Sequence, residues 1–100
     1  MKQKHKITRN TILKRDPDQI FTIIDDEVVM LNIKHEEYLN LNSHASYIWN
    51  QLENPLFFGK LIEILCNTFE VKEKVCVANT LSLLEELLDK NIIYIIDETA

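Results

Sequence analysis

The side chains that could do chemistry are few and scattered. Histidine occurs at His5, His35 and His44, and none has a cysteine or second histidine at metal-ligand spacing. His35-Glu36-Glu37 falls in a predicted hairpin turn and His44 in the first turn of a predicted helix, where an imidazole is ordinarily solvated. Cys66 and Cys76 are ten residues apart and fit neither a CxxC pair nor a zinc pattern. Neither has a histidine or lysine placed to make it a nucleophilic thiolate, so both read as reduced, buried or half-buried thiols of a cytoplasmic protein. Glu85, Glu86 and Asp89 read as the outer face of a helix. The single glycine, Gly59, rules out a glycine-rich phosphate loop. The expectation is a protein that is not an enzyme, with no catalytic residues, no metal and no cofactor.

What remains is the chemistry of the backbone. Residues 27–53, EVVMLNIKHEEYLNLNSHASYIWNQLE, read as two extended runs leading straight into an amphipathic helix. Val28, Val29, Met30, Leu31 and Ile33 form the first run; Tyr38, Leu39 and Leu41 form the second. Lys34-His35-Glu36 is short and polar enough for a hairpin loop. Asn42-Ser43 offers a helix N-cap, and Ala45, Ile48, Trp49 and Leu52 recur at helical spacing. In the first run Val29, Leu31 and Ile33 point one way, and Val28, Met30 and Asn32 the other. Both faces are partly apolar, so one covers the helices and the other is covered by the N-terminal arm or by a partner.

One hundred residues with 46% apolar content support one domain with one core. No apolar run approaches the roughly 18 residues that span a bilayer, and no apolar segment follows the basic N-terminus as in a secretory signal. Residues 1–15 carry six basic side chains and no acid, whereas the remaining 85 carry five basic and sixteen acidic ones. An acidic body argues against nucleic acid, because phosphate binding requires lysine and arginine to displace counterions.

Taken in order, residues 1–18 read as a basic, partly frayed arm in which Ile7, Ile12 and Leu13 could make a short edge strand. Asp16-Pro17-Asp18 is a turn signal, Gln19–Ile24 a strand, and Asp25-Asp26 a turn into the run at Glu27. After the first helix, Pro55 breaks the pattern. A second helix is predicted from about Phe57 to Phe69, with Leu61, Ile62, Leu65 and Phe69 inward. A third is predicted over 72–90, with a core stripe of Val77, Leu81, Leu84 and Leu88 flanked by Cys76, Thr80, Leu83 and Leu87. Lys90-Asn91 suits its C-terminus, and Ile92–Ile96 is extended. The predicted fold is α+β: a three-stranded antiparallel sheet, three helices and a short C-terminal strand, winged helix-turn-helix-like, with residues 19–100 as the domain.

These residues carry a resemblance. The chain resembles the PqqD-like family, the precursor-peptide recognition elements of ribosomally synthesised and post-translationally modified peptide (RiPP) pathways. It is most similar to the stand-alone members of lasso-peptide biosynthesis. The carrying features are Glu27–Asn32, Tyr38–Asn42, Ala45, Ile48-Trp49, Pro55, Phe69-Glu70-Val71, Leu83-Leu84 and Asn91-Ile92-Ile93, in that order, within residues 19–96. Leu39, Asn79 and Asn91 depart from the family's usual aromatic, acid and glycine. The resemblance implies a peptide chaperone that binds a precursor's leader segment and presents it to modifying enzymes. In lasso pathways these are a cysteine-protease-like leader peptidase and an asparagine-synthetase-like cyclase; elsewhere the partner is a radical SAM enzyme.

The expected mechanism is strand addition. The leader would pair with the edge of the Glu36–Leu41 strand, its apolar side chains entering a groove between that strand and the third helix. The expected peptide-binding residues are Glu37, Tyr38, Leu39, Asn40, Leu41, Cys76, Asn79, Thr80 and Leu83. No nucleic-acid or membrane partner is expected, and the chain is expected as a monomer or weak homodimer. Two rival functions fit the element order: a winged-helix DNA-binding regulator, and an interaction module whose open edge pairs with its own copy. The first is opposed by the third helix, where Lys72, Lys74 and Lys90 face Glu73, Glu85, Glu86 and Asp89.

Overall fold

The structure is a computed structural model that describes residues 6–33 and 36–96, with the Asn32 side chain excepted. His5 and the Lys34-His35 part of the predicted loop lie outside the described residues. The elements run β1 (Ile12–Arg15), β2 (Ile20–Ile24), β3 (Glu27–Asn32), β4 (Glu37–Asn40), α1 (Ser43–Gln51), β5 (Leu56–Phe57), α2 (Phe58–Phe69), α3 (Glu73–Asp89) and β6 (Ile93–Ile96). This is a small α+β fold with antiparallel sheets and three helices.

The predicted meander is present as a sheet of order β2-β3-β4. Phe21 faces Met30 across the first pair of strands, and Met30 faces Leu39 across the second. Asp25 and Asp26 both adopt positive φ, 52° and 67°, as the two-residue turn between β2 and β3 requires. Alternation along β3 buries Val28 and Met30 against the helices, while Val29 and Leu31 lie on the outer face. The outer face is not covered by the described part of the N-terminal arm: Ile20 and Ile24 are each 55% exposed and Tyr38 77%.

The arm instead builds a second sheet, of order β5-β1-β6, that the sequence reading did not anticipate. Far from being an edge, β1 is its central strand, pairing Leu13 with Ile95 on one side and with Leu56 on the other. The Arg15 N–H donates to the Leu52 carbonyl at 2.9 Å and the Asp16 N–H to that of Ile92 at 2.8 Å, so the strand is tied into the body at its end. Arg15 places its guanidinium 4.0 Å from the centroid of the buried Trp49 ring, burying its stem while keeping a cation–π contact. The glycine near the start of α2 has its reason here: a Cβ on Gly59 would come within 3.2 Å of Arg9 Cβ, and the Gly59 N–H donates to the Arg9 carbonyl. The Arg9 side chain reaches on to pair with Glu73 at the start of α3.

The helices begin and end largely where their signals fall. The Asn42 side chain accepts from the Ala45 N–H at 2.8 Å, which makes it the N-cap of α1. Asn91, at φ 61°, takes the left-handed position after α3. Two faces differ from expectation. Phe69 is exposed at the end of α2, where it packs edge-on against His44 and Tyr47 rather than in the core. On α3 the buried set is Cys76, Thr80, Leu84, Leu87 and Leu88, with Val77, Leu81 and Leu83 only half-buried. The stripe is rotated because α3 packs against α2 and β6 together, and its apolar sector is wide enough to allow either choice.

Candidate functional site

The site is built from β4, the start of α1 and the C-terminal half of α3. One ladder bond and the alternation of antiparallel pairing place its backbone groups. The Leu41 N–H donates to the Val28 carbonyl at 2.8 Å, so residues 41, 39 and 37 turn their polar groups toward β3. Tyr38 and Asn40 therefore turn theirs to the far edge of β4, which has no strand partner among the described residues. The reciprocal bond at Leu41 is replaced by a relay. Buried Ser46 on α1 accepts from the Val28 N–H at 2.8 Å and donates to the Leu41 carbonyl at 2.9 Å. This hydroxyl ties β3, the exit of β4 and α1 together where the ladder ends, and fixes the angle at which β4 meets the helices.

Beside the free edge lies a cavity of about 200 Å³ lined by Leu39, Asn40, Leu41 and Asn42, by Ala45 of α1, and by Leu83, Glu86 and Leu87 of α3. Its walls are mixed: Leu39, Leu41, Ala45, Leu83 and Leu87 are aliphatic, Asn40 and Asn42 are polar, and Glu86 is the one charged residue in the lining. At the C-terminal end of α3, Lys90 Nζ donates to Glu37 Oε2 at 3.2 Å and links the helix to the first residue of β4. An extended apolar segment could lie along this trench with its backbone on β4 and alternate side chains inside.

The predicted binding residues fall into three groups. Leu39, Asn40, Leu41 and Leu83 meet at the trench, with Glu37 in the ion pair that links β4 to α3. Tyr38 has its backbone on the free edge but its ring on the outer face of the sheet. Cys76 and Thr80 are core residues earlier on α3, their side chains 3.8 Å apart, and Asn79 is exposed on a neighbouring face; none of the three lines the trench. Burial pushes the Cys76 thiol up, the Thr80 hydroxyl pulls it partly back, and neighbouring Cys66 adds to the rise. Asn42, Ala45, Glu86 and Leu87 line the trench although the sequence reading did not select them as binding residues. Leu87 and Glu86 follow Leu83 by one helical turn, so the i, i+3, i+4 rule could have found them once Leu83 was chosen.

The free edge and its trench occupy the stretch that a known family shares. The family profile for PqqD, coenzyme PQQ synthesis protein D, matches residues 27–93. The chain belongs to the PqqD family. No curated protein and no solved structure matches it. The PqqD family match spans β3 to the first residue of β6 and takes in every residue lining the trench. It suggests a peptide-binding role in RiPP biosynthesis, with a precursor peptide and its biosynthetic enzymes as partners; such domains are generally non-catalytic accessory proteins. Among the described residues no group of three or more histidine, cysteine, aspartate or glutamate side chains is arranged to hold a metal ion. No described helix is long and apolar enough to cross a membrane.

Proposed function

We propose that this PqqD-family protein binds the leader segment of a ribosomally made precursor peptide by strand addition to β4 and presents it to modifying enzymes. The leader adds antiparallel to β4 through the N–H and C=O groups of Tyr38 and Asn40. Its apolar side chains enter the trench between Leu39 and Leu41 on one wall and Leu83 and Leu87 on the other. The enzymes receiving it are a leader peptidase of the cysteine-protease type and an asparagine-synthetase-like cyclase, as in lasso-peptide pathways. A radical SAM enzyme takes their place if the pathway is of another class. The observation that supports this reading is a β4 edge without a strand partner among the described residues, next to a trench with leucines on both walls. An open edge invites wrong partners, and a fold that leaves one beside a shaped cavity has a use for it.

The test is a titration of labelled leader from a short reading frame adjacent to the gene, followed by fluorescence anisotropy. Leu83→Glu puts a charge among the trench's aliphatic side chains and is expected to weaken binding by roughly tenfold or more, the equivalent of losing one buried anchor. Tyr38→Pro removes an edge donor without removing a ladder bond and is expected to weaken binding by a similar factor. Unchanged affinity in both folded variants rejects the site.

A further inference from the structure

A second cavity, of about 500 Å³, opens between the turn after β2, α1 and the end of α2. Asp26, Ser43, His44, Tyr47, Asn50 and Phe69 are among the residues that line it. It does not share a face of α1 with the trench: at about 100° per residue, Tyr47 stands roughly 200° round the helix from Ala45. Part of the lining is an aromatic cluster. The His44 and Tyr47 rings each meet the Phe69 ring edge-on, with centroids 5.3 and 5.2 Å away, and the Tyr47 hydroxyl is 3.1 Å from Thr68 Oγ1. Phe69 is still 41% exposed, an apolar ring held at the surface by its neighbours. The rest of the lining is polar and acidic. Asp26 contributes a carboxylate directly, and a second, that of Glu27, accepts from the Ser43 hydroxyl at 3.4 Å. No lysine or arginine lines the cavity. Arg15, whose guanidinium lies over Trp49 and Phe21, and Lys72, three residues beyond Phe69, are both outside the lining.

We propose that this cavity is a docking site for an arginine side chain presented by another protein. A guanidinium has two apolar faces and five N–H donors in its plane, so it fits a site that offers rings and acceptors together. Tyr47 and Phe69 offer ring surface; Asp26, Ser43 and Asn50 offer acceptors. An anionic group would meet Asp26 with like charge. An aliphatic one would strip water from Asp26 and Asn50 without replacing its hydrogen bonds. A lysine ammonium is more strongly hydrated and presents no flat face to the rings. His44 is the one side chain of the lining that can turn cationic; its neutral ring belongs to the aromatic cluster, and its protonated form opposes the guest. A second copy of this chain is a poor source of the guest. The sequence holds two arginines, and both are engaged: Arg9 is paired with Glu73, and Arg15 lies over Trp49. Either would have to leave a contact of its own fold to enter. The site lies across α1 from the leader trench and does not rest on the leader reading.

The full-length chain, labelled with nitrogen-15, is titrated at low salt and above the ordinary histidine range with a blocked glycine-serine peptide carrying one arginine. Counterpart peptides carry lysine, or citrulline, which keeps the shape of arginine without its charge. The expected result is saturable shifts of the amides of residues 43–50 and 68–70. The citrulline peptide is expected to bind about tenfold more weakly than the arginine peptide, and the lysine peptide about threefold more weakly. Asp26→Asn removes the charge and keeps a residue that tolerates the left-handed turn position; Phe69→Leu keeps an apolar side chain and removes the ring. Both positions are exposed, so both variants are expected to fold, and each is expected to weaken arginine binding about threefold. The proposal is overturned if citrulline or lysine binds as tightly as arginine, if both variants bind the arginine peptide like wild type, or if the shifts fall only on residues 37–42 and 83–87. A dimer in sedimentation that Phe69→Glu separates would put a second copy in the cavity and overturn it as well.

Discussion

In the sheet of β5, β1 and β6 the middle strand is paired on both sides, its edges are strands of two and four residues, and Leu13 and Ile93 sit within the core. In the sheet of β2, β3 and β4 the strands at both edges are open among the described residues, and one whole face is turned outward. The first sheet joins distant parts of the chain, since β1 and β6 are separated by most of its length. Its pairings are made at the expense of loop-closure entropy and must be repaid by burial. The second is made of neighbours joined by short turns, which form cheaply and need only one face to be held. That division lets one sheet close the fold while the other, among the described residues, leaves the outer backbone groups of its edge strands without a strand partner.

The comparison breaks most easily at Leu13. Its side chain is fully buried at the centre of the closing sheet, so Leu13→Ala should destabilise the protein by about 2–5 kcal/mol, the cost of the lost burial plus the cavity left behind. Urea melts measure it. The contrasting substitution is Ile24→Thr on the open face, expected to stay within about 0.5 kcal/mol of wild type. Leader affinity, corrected for the folded fraction, should be unchanged by Leu13→Ala, because neither the edge of β4 nor the trench contains that residue. If Ile24→Thr proved as damaging as Leu13→Ala, the open sheet would be a structural one and the contrast would fail.

An intermediate effect is expected where the open sheet is anchored. Ser46→Ala removes the hydroxyl that joins the Val28 N–H to the Leu41 carbonyl and leaves that buried donor without its partner. The expected loss is about 1–3 kcal/mol in urea melts. Because β4 is held against α1 through this relay, the variant should also bind leader more weakly. A stability loss with leader affinity intact would mean that Leu39 and Leu41 hold β4 in place without it.

Much of this arrangement could be read in the sequence, and the parts that could not have a common cause. Strands 20–24, 27–32 and 37–40, the Asn42 cap and the left-handed Asn91 all depend on neighbours within a few residues, and each was legible. Ile12–Arg15 was legible only as a short edge strand and not as the centre of a sheet, because only Leu13 of its four residues is buried and its partners Ile93–Ile96 lie some eighty positions away. The apolar Ile92–Ile96 run announced a strand but not what it pairs with. Ser46 gave no signal, since a serine within a helix reads as surface until the strand ends that need it are in place. At the trench, Leu39, Asn40, Leu41 and Leu83 followed from the hairpin and the helix stripe. The broad apolar sector of α3 left its rotation open, so the reading chose Cys76 and Thr80 where the structure sets Glu86 and Leu87. Local chemistry fixed the elements; the facing of one helix against another is a property of the packed whole.

The smallest effect should come at the ion pair that joins the open sheet to α3. Glu37 and Lys90 are both partly exposed, with side chains 43% and 29% accessible, so solvent and salt screen much of their attraction. Glu37→Gln keeps the shape of the side chain and removes its charge, and is expected to destabilise by about 0–1 kcal/mol at low salt and by less at high salt. Melts at two ionic strengths read this directly. A loss above about 2 kcal/mol that salt does not diminish would show that the contact between β4 and α3 is structural in the way the β1–β6 pairing is. The trench would then be a fixed seam of the fold. A small, salt-sensitive loss leaves β4 held chiefly by β3 and Ser46, with the side facing α3 free to admit a strand.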